Sequence, residues 1–292
     1  MNKSKRHHYI PKFFINGFTG EDGKLSVLDK TKGTIDKIRK SPKQIFFEWN
    51  RNSFNINGYE TDFLENVYQF GETKFADIYK KLTEKFEPIE ITTYDILHLT
   101  LFISEIHWRI PIRDKIFNEN IKNYDFENAP FKIIDKKTGK KTPFSQLKEL
   151  TEEPAFIESL KHIQSIQDYI KNSKNIKVEN WLIYYRPKEA PQLKILCDNP
   201  IITRNESENV LESELIFNLS KSKTVYHTKG NRLKEIPPMN NISIDILLYL
   251  QAEKFVCCSD ESYLNSIIEI SKLYNTPEKV LYLKNEIFEV FE

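Results

Sequence analysis

Thr93-Tyr94-Asp95-Ile96-Leu97-His98-Leu99-Thr100-Leu101-Phe102-Ile103-Ser104-Glu105-Ile106-His107-Trp108-Arg109-Ile110 is the stretch on which the fold turns. Its apolar residues fall on every side of a helical wheel, so this is a helix with no face for water, and it belongs at the centre of the molecule. Thr92 or Thr93 suits the N-cap, and Pro111 ends the helix because the residue before a proline is steered out of the α region. Charge inside such a helix has to be paired or functional. Glu105 and Arg109 are four apart, in the favourable order for an ion pair. His98 lies seven before Glu105, on the same face.

Upstream, Phe63, Val67, Phe70, Phe75, Ile78 and Leu82 follow three- and four-residue steps and predict a second helix over Tyr59–Leu82. Glu65 and Glu72 share one face of it, two turns apart. Further upstream, Phe13, Phe14 and Phe18 predict a short helix with Pro11 in its first turn. The alternation in Lys24–Asp29 and Thr34–Ile38, turned at Lys32-Gly33, predicts a hairpin. Lys30–Lys43 holds six Lys/Arg residues and one Asp; a solvated face is favoured over a phosphate-contacting patch.

Downstream, a helix over Pro154–Lys171 precedes a series of short strands. Lys177–Tyr185 reads as a strand with Gln192–Cys197 as its partner, followed by Ile201–Thr203, Leu215–Ser220 and Thr224–His227. Ile242–Lys254 reads as a helix, Phe255–Cys258 as a strand, and Glu261–Tyr274 as a last helix before an alternating tail. The fold class is therefore α+β: a helix-rich N-terminal half with a small hairpin, and a C-terminal half that is a mostly antiparallel sheet packed with helices. The expected organisation is a single compact domain over 1–292, of two lobes (1–117 and 154–292) joined by a polar, Lys-rich connection (118–153).

With 292 residues, 39% hydrophobic and 13% aromatic, the chain has ample material for a core. A net charge of +1 excludes the global basic field of a dedicated DNA-binding domain, though not local patches. Three cysteines, two of them the adjacent Cys257-Cys258, make neither a disulfide framework nor a CxxC knuckle and point to a reducing cytoplasm. No apolar run suits a membrane span, and the charged Met1–Arg6 leads into histidines rather than an apolar signal region. There is no GxGxxG, P-loop, HExxH or GxSxG, which removes the common nucleotide-binding, zinc-protease and serine-hydrolase readings.

Two further segments carry candidate chemistry. In His7-His8, imidazoles adjacent on an extended segment point to opposite faces, so one at a time enters a given site. Asp198-Asn199-Pro200 places a carboxylate at a strand end, a frequent catalytic arrangement and equally a good turn former.

The opening His7-His8-Tyr9-Ile10-Pro11-Lys12-Phe13-Phe14-Ile15-Asn16-Gly17-Phe18 resembles the HHYxPxFxLxxF start of the bacterial domain of unknown function 4238 family. Leu64-Glu65 with Glu72 resembles its paired-glutamate helix, and Arg109-Ile110-Pro111-Ile112-Arg113 its RxPxxR helix end. Trp181 with Leu196–Ile201 is similar to its W…SDNPV segment, and Phe217–Ser220 to its FPLS. Cys197 replaces the usual Ser, Asn218 the usual Pro, and the glutamine often found before RxPxxR is not evident. The resemblance implies that His7, His8, Glu65, Glu72, Arg109, Asp198 and Asn199 meet in space. It does not name a substrate.

Two readings of that set follow. In the first, the chain is a metal-dependent hydrolase of phosphodiesters, nuclease-like, with a toxin or antiphage effector as its setting. His8, Glu65, Glu72 and Asp198 would hold Mg²⁺, Mn²⁺ or Zn²⁺. His7, His8, Asp198 and Arg109 would be catalytic, Asn199, Arg113 and Tyr9 would touch substrate, and the partner would be a nucleic acid or nucleotide. In the second, the set is a hydrogen-bonded ion network fastening the N-terminal segment to the central helix, and function lies in binding a ligand or protein.

Overall fold

The computed structural model describes residues 6–56, 59–85, 89–122, 124–128, 132–135, 138–151, 153–186, 188–205 and 209–292. The reading of Met1–Lys5 lies outside these residues, as do seven positions of 118–153 (123, 129–131, 136, 137 and 152).

The chain opens with β1 (Arg6–His8) and α1 (Lys12–Asn16), then β2 (Ser26–Asp29), β3 (Thr34–Ile35), β4 (Phe47–Trp49), β5 (Phe54–Ile56) and β6 (Tyr59–Thr61). Helices α2 (Phe63–Glu84), α3 (Thr93–Arg109), α4 (Ile112–Lys122), α5 (Phe144–Leu150) and α6 (Pro154–Ser173) follow. Then come β7 (Trp181–Tyr185), β8 (Leu196–Cys197), β9 (Ile201–Thr203), β10 (Leu215–Asn218), β11 (Lys223–His227), α7 (Pro238–Gln251), β12 (Phe255–Cys258), α8 (Glu261–Ser271) and α9 (Pro277–Phe288). This is an α+β chain with antiparallel sheets.

The central helix forms as its sequence demands. Thr92 caps α3 by accepting the Asp95 N–H at 3.3 Å, and the Asp95 carboxylate accepts the Thr92 N–H at 2.8 Å, so two otherwise orphaned donors are satisfied. Ile96, Leu99, Phe102, Ile103 and Ile106 enter a first core with Phe14, Phe75, Phe217 and Val225. Trp108 leaves by the other side, into a separate core with Phe117, Ile121, Phe126, Leu147, Ile157 and Leu160. Each fully buried side chain of this kind contributes about 1.5–3 kcal/mol, so α3 ties two cores together.

The first core draws on residues from both sides of 118–153, Phe14 and Phe102 packing with Trp181 and Phe217. The Lys-rich stretch itself carries the end of α4 and all of α5, with Ile121, Phe126 and Leu147 buried. Its apolar residues are few but fall where they can reach Trp108.

A first four-stranded sheet runs β7-β11-β10-β9 and a second β3-β2-β12-β8, beside the two-stranded pairs β1-β4 and β5-β6. Two expectations are corrected here. Gln192–Cys197 does not pair with β7; β7 pairs with β11, and Leu196–Cys197 pairs with β12. Lys194 and Ile195 are instead held by α7, through Lys194 Nζ on Asn241 Oδ1 at 2.6 Å and the Ile195 N–H on Asp245 Oδ1 at 3.4 Å, which carries the strand away to the second sheet. The alternating tail is α9: Thr276 caps it, Pro277 sits in its first turn, and Leu283, Ile287 and Phe288 are buried at helical spacing. Pro277 marks a helix start there as readily as a strand break.

The basic stretch Lys30–Lys43 is largely engaged at home. Lys30 Nζ donates to the Tyr249 and Ala252 carbonyls, Arg39 pairs with Asp22, Lys32 with Asp29 and Lys40 with Asp36.

Candidate functional site

β1 brings in the two histidines, paired with β4 in the register His7 with Glu48 and His8 with Phe47. Their rings point opposite ways, and both are enclosed, His7 fully and His8 to within 7% of exposure. His7 Nδ1 accepts the Asn52 N–H at 2.8 Å. His8 Nε2 donates to the Pro42 carbonyl at 3.2 Å, with Phe47 against its ring. Burial, with Lys12, Arg109 and Arg6 nearby, pushes the His8 pKa down to about 4, so the ring is neutral at physiological pH.

Asn52 carries the chain of contacts onward, its amide donating to Glu65 Oε2 at 2.8 Å. Glu72, two turns along α2, receives Arg109 Nη1 at 2.6 Å. The expected Glu105–Arg109 pair along α3 is therefore not the one formed; Arg109 crosses to α2, its guanidinium lying 4.0 Å over the Tyr68 ring. Desolvation alone would depress Arg109, but the surrounding carboxylates and Tyr68 leave its pKa raised. His98, expected on the Glu105 face, bonds the Tyr94 carbonyl at 2.9 Å instead.

Glu105 is the unusual member. It is largely enclosed, with 12% of its side chain exposed, and its carboxylate lies against Gly71, where a Cβ would come 3.6 Å from both oxygens. Burial lifts its pKa to about 7; Arg109 opposes the rise and Glu72 adds to it. His162 of α6 sits beside it, Nδ1 3.8 Å from Oε1, held neutral by burial at a pKa of about 4, with Tyr68 against its ring edge.

A second knot adjoins the first and was not legible in the sequence. Arg51 gives Nη1 to Glu48 and to Asp114 Oδ2 at 2.9 Å, and Nη2 to Asp114 Oδ1 at 2.6 Å, Glu158 Oε1 at 2.9 Å and the Arg109 carbonyl at 3.2 Å. Lys161, fully buried, bonds Asp114 and Glu158. Arg51 lies in a turn that matches no motif. The available signal was in α6, where Glu158 and Lys161 interrupt a helix of otherwise apolar period.

The structure thus holds His7 and Glu65 together through Asn52, and Glu72 with Arg109 beside Tyr68; the Arg109 charge couples the two pieces into one network, close enough to be felt by both Glu65 and His8. Asp198 serves a different element. Its carboxylate accepts the N–H groups of Glu253 at 3.0 Å, Lys254 at 2.7 Å and Phe255 at 2.9 Å, fastening the end of β8 to the start of β12. Burial raises its pKa although the three amides favour its charge. Tyr9 is a core side chain, its N–H on the Phe46 carbonyl at 2.9 Å.

The proposed metal ligands do not fit a metal centre. Glu65 is given to Asn52, Glu72 to Arg109, Asp198 to three amides, and His8 Nε2 to a carbonyl. Among the described residues no three His, Cys, Asp or Glu side chains converge as a cation-binding group.

Asn199 and Arg113, by contrast, reach the same open space. A cleft of about 940 Å³ between α4, β9 and the α7–α9 face is lined by Arg113, Ile116, Asn199, Gln251, Tyr274 and Lys284. Gln251 holds its wall, its amide donating to the Asn199 carbonyl and, at 3.1 Å, to that of Ile201.

Residues 6–229 match the family described as Protein of unknown function (DUF4238). The chain belongs to this family. No curated protein and no solved structure matches it. Among the described residues, no helix is long and apolar enough to cross a membrane.

Proposed function

We propose that this chain is a ligand-binding protein whose cleft at Arg113 and Asn199 takes a small anion with a flat or apolar body, a nucleotide in chemical terms. One observation carries the reading: two residues far apart in the sequence, one at the head of α4 and one in the β8–β9 turn, line one large cleft. The guanidinium of Arg113 suits bidentate recognition of phosphate, Lys284 adds charge, and Ile116, Leu247, Val280 and Tyr274 offer an apolar wall. The His7/Glu65/Glu72/Arg109 network has another task. It fastens the N-terminal strand to α2 and α3, with His7 and Glu65 engaged by Asn52 and Glu72 by Arg109.

Calorimetric titration of the full chain with ADP tests this. Binding is expected, weakened about tenfold or more in Arg113→Ala, where one charge-assisted contact is lost. Wild-type affinity in both Arg113→Ala and Asn199→Ala, or no heat with wild-type protein, would overturn it.

A further inference from the structure

A smaller cleft, of about 320 Å³, opens on the opposite edge of the first sheet, where the segment after α6 meets β7 and β11. Its floor is a ring pair. Trp181 and His227 are cross-strand partners, stacked with centroids 4.2 Å apart at 20°. His227 is 8% exposed, and one ring nitrogen donates to the Ser213 carbonyl, while Nδ1 is buried and has no partner. Burial and the neighbouring Lys229 hold the ring neutral, with its pKa lowered to about 4, so Nδ1 presents a lone pair rather than a proton. A buried acceptor left unmade costs on the order of 1–3 kcal/mol, and native proteins keep few of them.

The rim is polar and positive. Asn175, Asn180, Lys177 and Lys229 line it, and among the described residues neither lysine has a carboxylate within ion-pair distance. Lys229 adopts φ +56° and precedes Gly230 at +95°. A side chain in the left-handed region costs about 1 kcal/mol or more. That turn sets the Lys229 cation beside the imidazole.

We propose that this cleft is a second binding site, for a small hydroxylated anion of the sugar-phosphate class. A ligand hydroxyl donates to His227 Nδ1, the anionic group sits between Lys177 and Lys229, and the asparagine amides take the remaining oxygens. An acceptor nitrogen sets the requirement for a donor on the ligand. Two unpaired rim cations set the requirement for charge.

Ribose 5-phosphate is the probe, titrated into full-length protein while the ring nitrogens of His227 are followed by ¹⁵N NMR. Binding is expected to move the Nδ1 resonance away from its bare-acceptor position and leave the Ser213-bonded nitrogen nearly fixed. His227→Phe keeps the stack and removes the acceptor; it is expected to weaken binding about tenfold or more. Lys229→Gln, on the surface, is expected to weaken it severalfold and to flatten its salt dependence, with Arg113→Ala unaffected. An unmoved Nδ1 at millimolar ribose 5-phosphate, or wild-type affinity in both His227→Phe and Lys229→Gln, would overturn the assignment. Loss in Arg113→Ala alone would place the ligand in the larger cleft instead.

Discussion

Replacing Glu105 by Gln should stabilise the protein at alkaline pH and leave it nearly unchanged in acid. The folded-state pKa of about 7 stands above the ordinary 4.5 because the carboxyl is buried, and the nearest guanidinium is engaged with Glu72. An acid whose pKa is raised by folding binds more protons folded than unfolded between those two values. Its contribution is therefore fully present below about 4.5 and is lost as pH rises through about 7. The difference of roughly 2.5 units corresponds to about 3 kcal/mol of penalty at pH 8. Only 12% of the side chain is exposed, so solvent screening does little to reduce it. Glutamine keeps the volume beside Gly71 and carries no charge. Urea unfolding at pH 5 and pH 8, compared at constant m-value, reads the effect as a shift in midpoint. Equal destabilisation of Glu105→Gln at both pH values would refute the reasoning and show that Arg109 stabilises the ionised carboxylate.

Gly71→Ala should stabilise by about 0.5–1 kcal/mol in the same unfolding assay, since it lies inside α2 and its Cβ would meet only ordinary 3.6 Å contacts; a loss would mean that the carboxylate needs the space. Arg51→Met should cost about 3 kcal/mol by leaving Lys161 as the one remaining cation of the knot against Glu158 and Asp114, with Arg51→Met/Glu158→Gln recovering part of the loss; a neutral single variant would show that the knot adds nothing. His8, His162 and His227, with pKa values lowered to about 4, take up protons at higher pH unfolded than folded. Stability should therefore fall as pH drops from about 6.5 to about 4, against the Glu105 trend, and the acid limb should become shallower in His227→Phe.

The central helix was legible because burial on every side leaves a sequence trace: Ile96, Leu99, Phe102, Ile103 and Ile106 point one way and Trp108 another. The capping residues around Thr92 and Asp95 were legible for a similar local reason. Strand partnership was not, because β7 and β8 carry alternation without an address, and the contacts that separate them come from Asn241 and Asp245 on α7. In the polar set, types and spacing exposed His7, Glu65, Glu72 and Arg109, whose partners lie on other elements. Arg51, Asn52 and His162, which complete the network, sit in a turn and on a helix where no spacing announces them. Asp198 shows the converse: a carboxylate at a strand end reads as chemistry, and its oxygens are filled by three backbone amides.

The most direct test of the separation between network and cleft is the ADP affinity of Glu72→Gln. Removing that carboxylate leaves Arg109 buried beside Tyr68 with its main partner weakened, so the unfolding midpoint should fall. The cleft at Arg113 and Asn199 is untouched, so Kd should equal that of wild type. An unchanged midpoint with binding abolished would contradict the account and make Glu72 part of a ligand site.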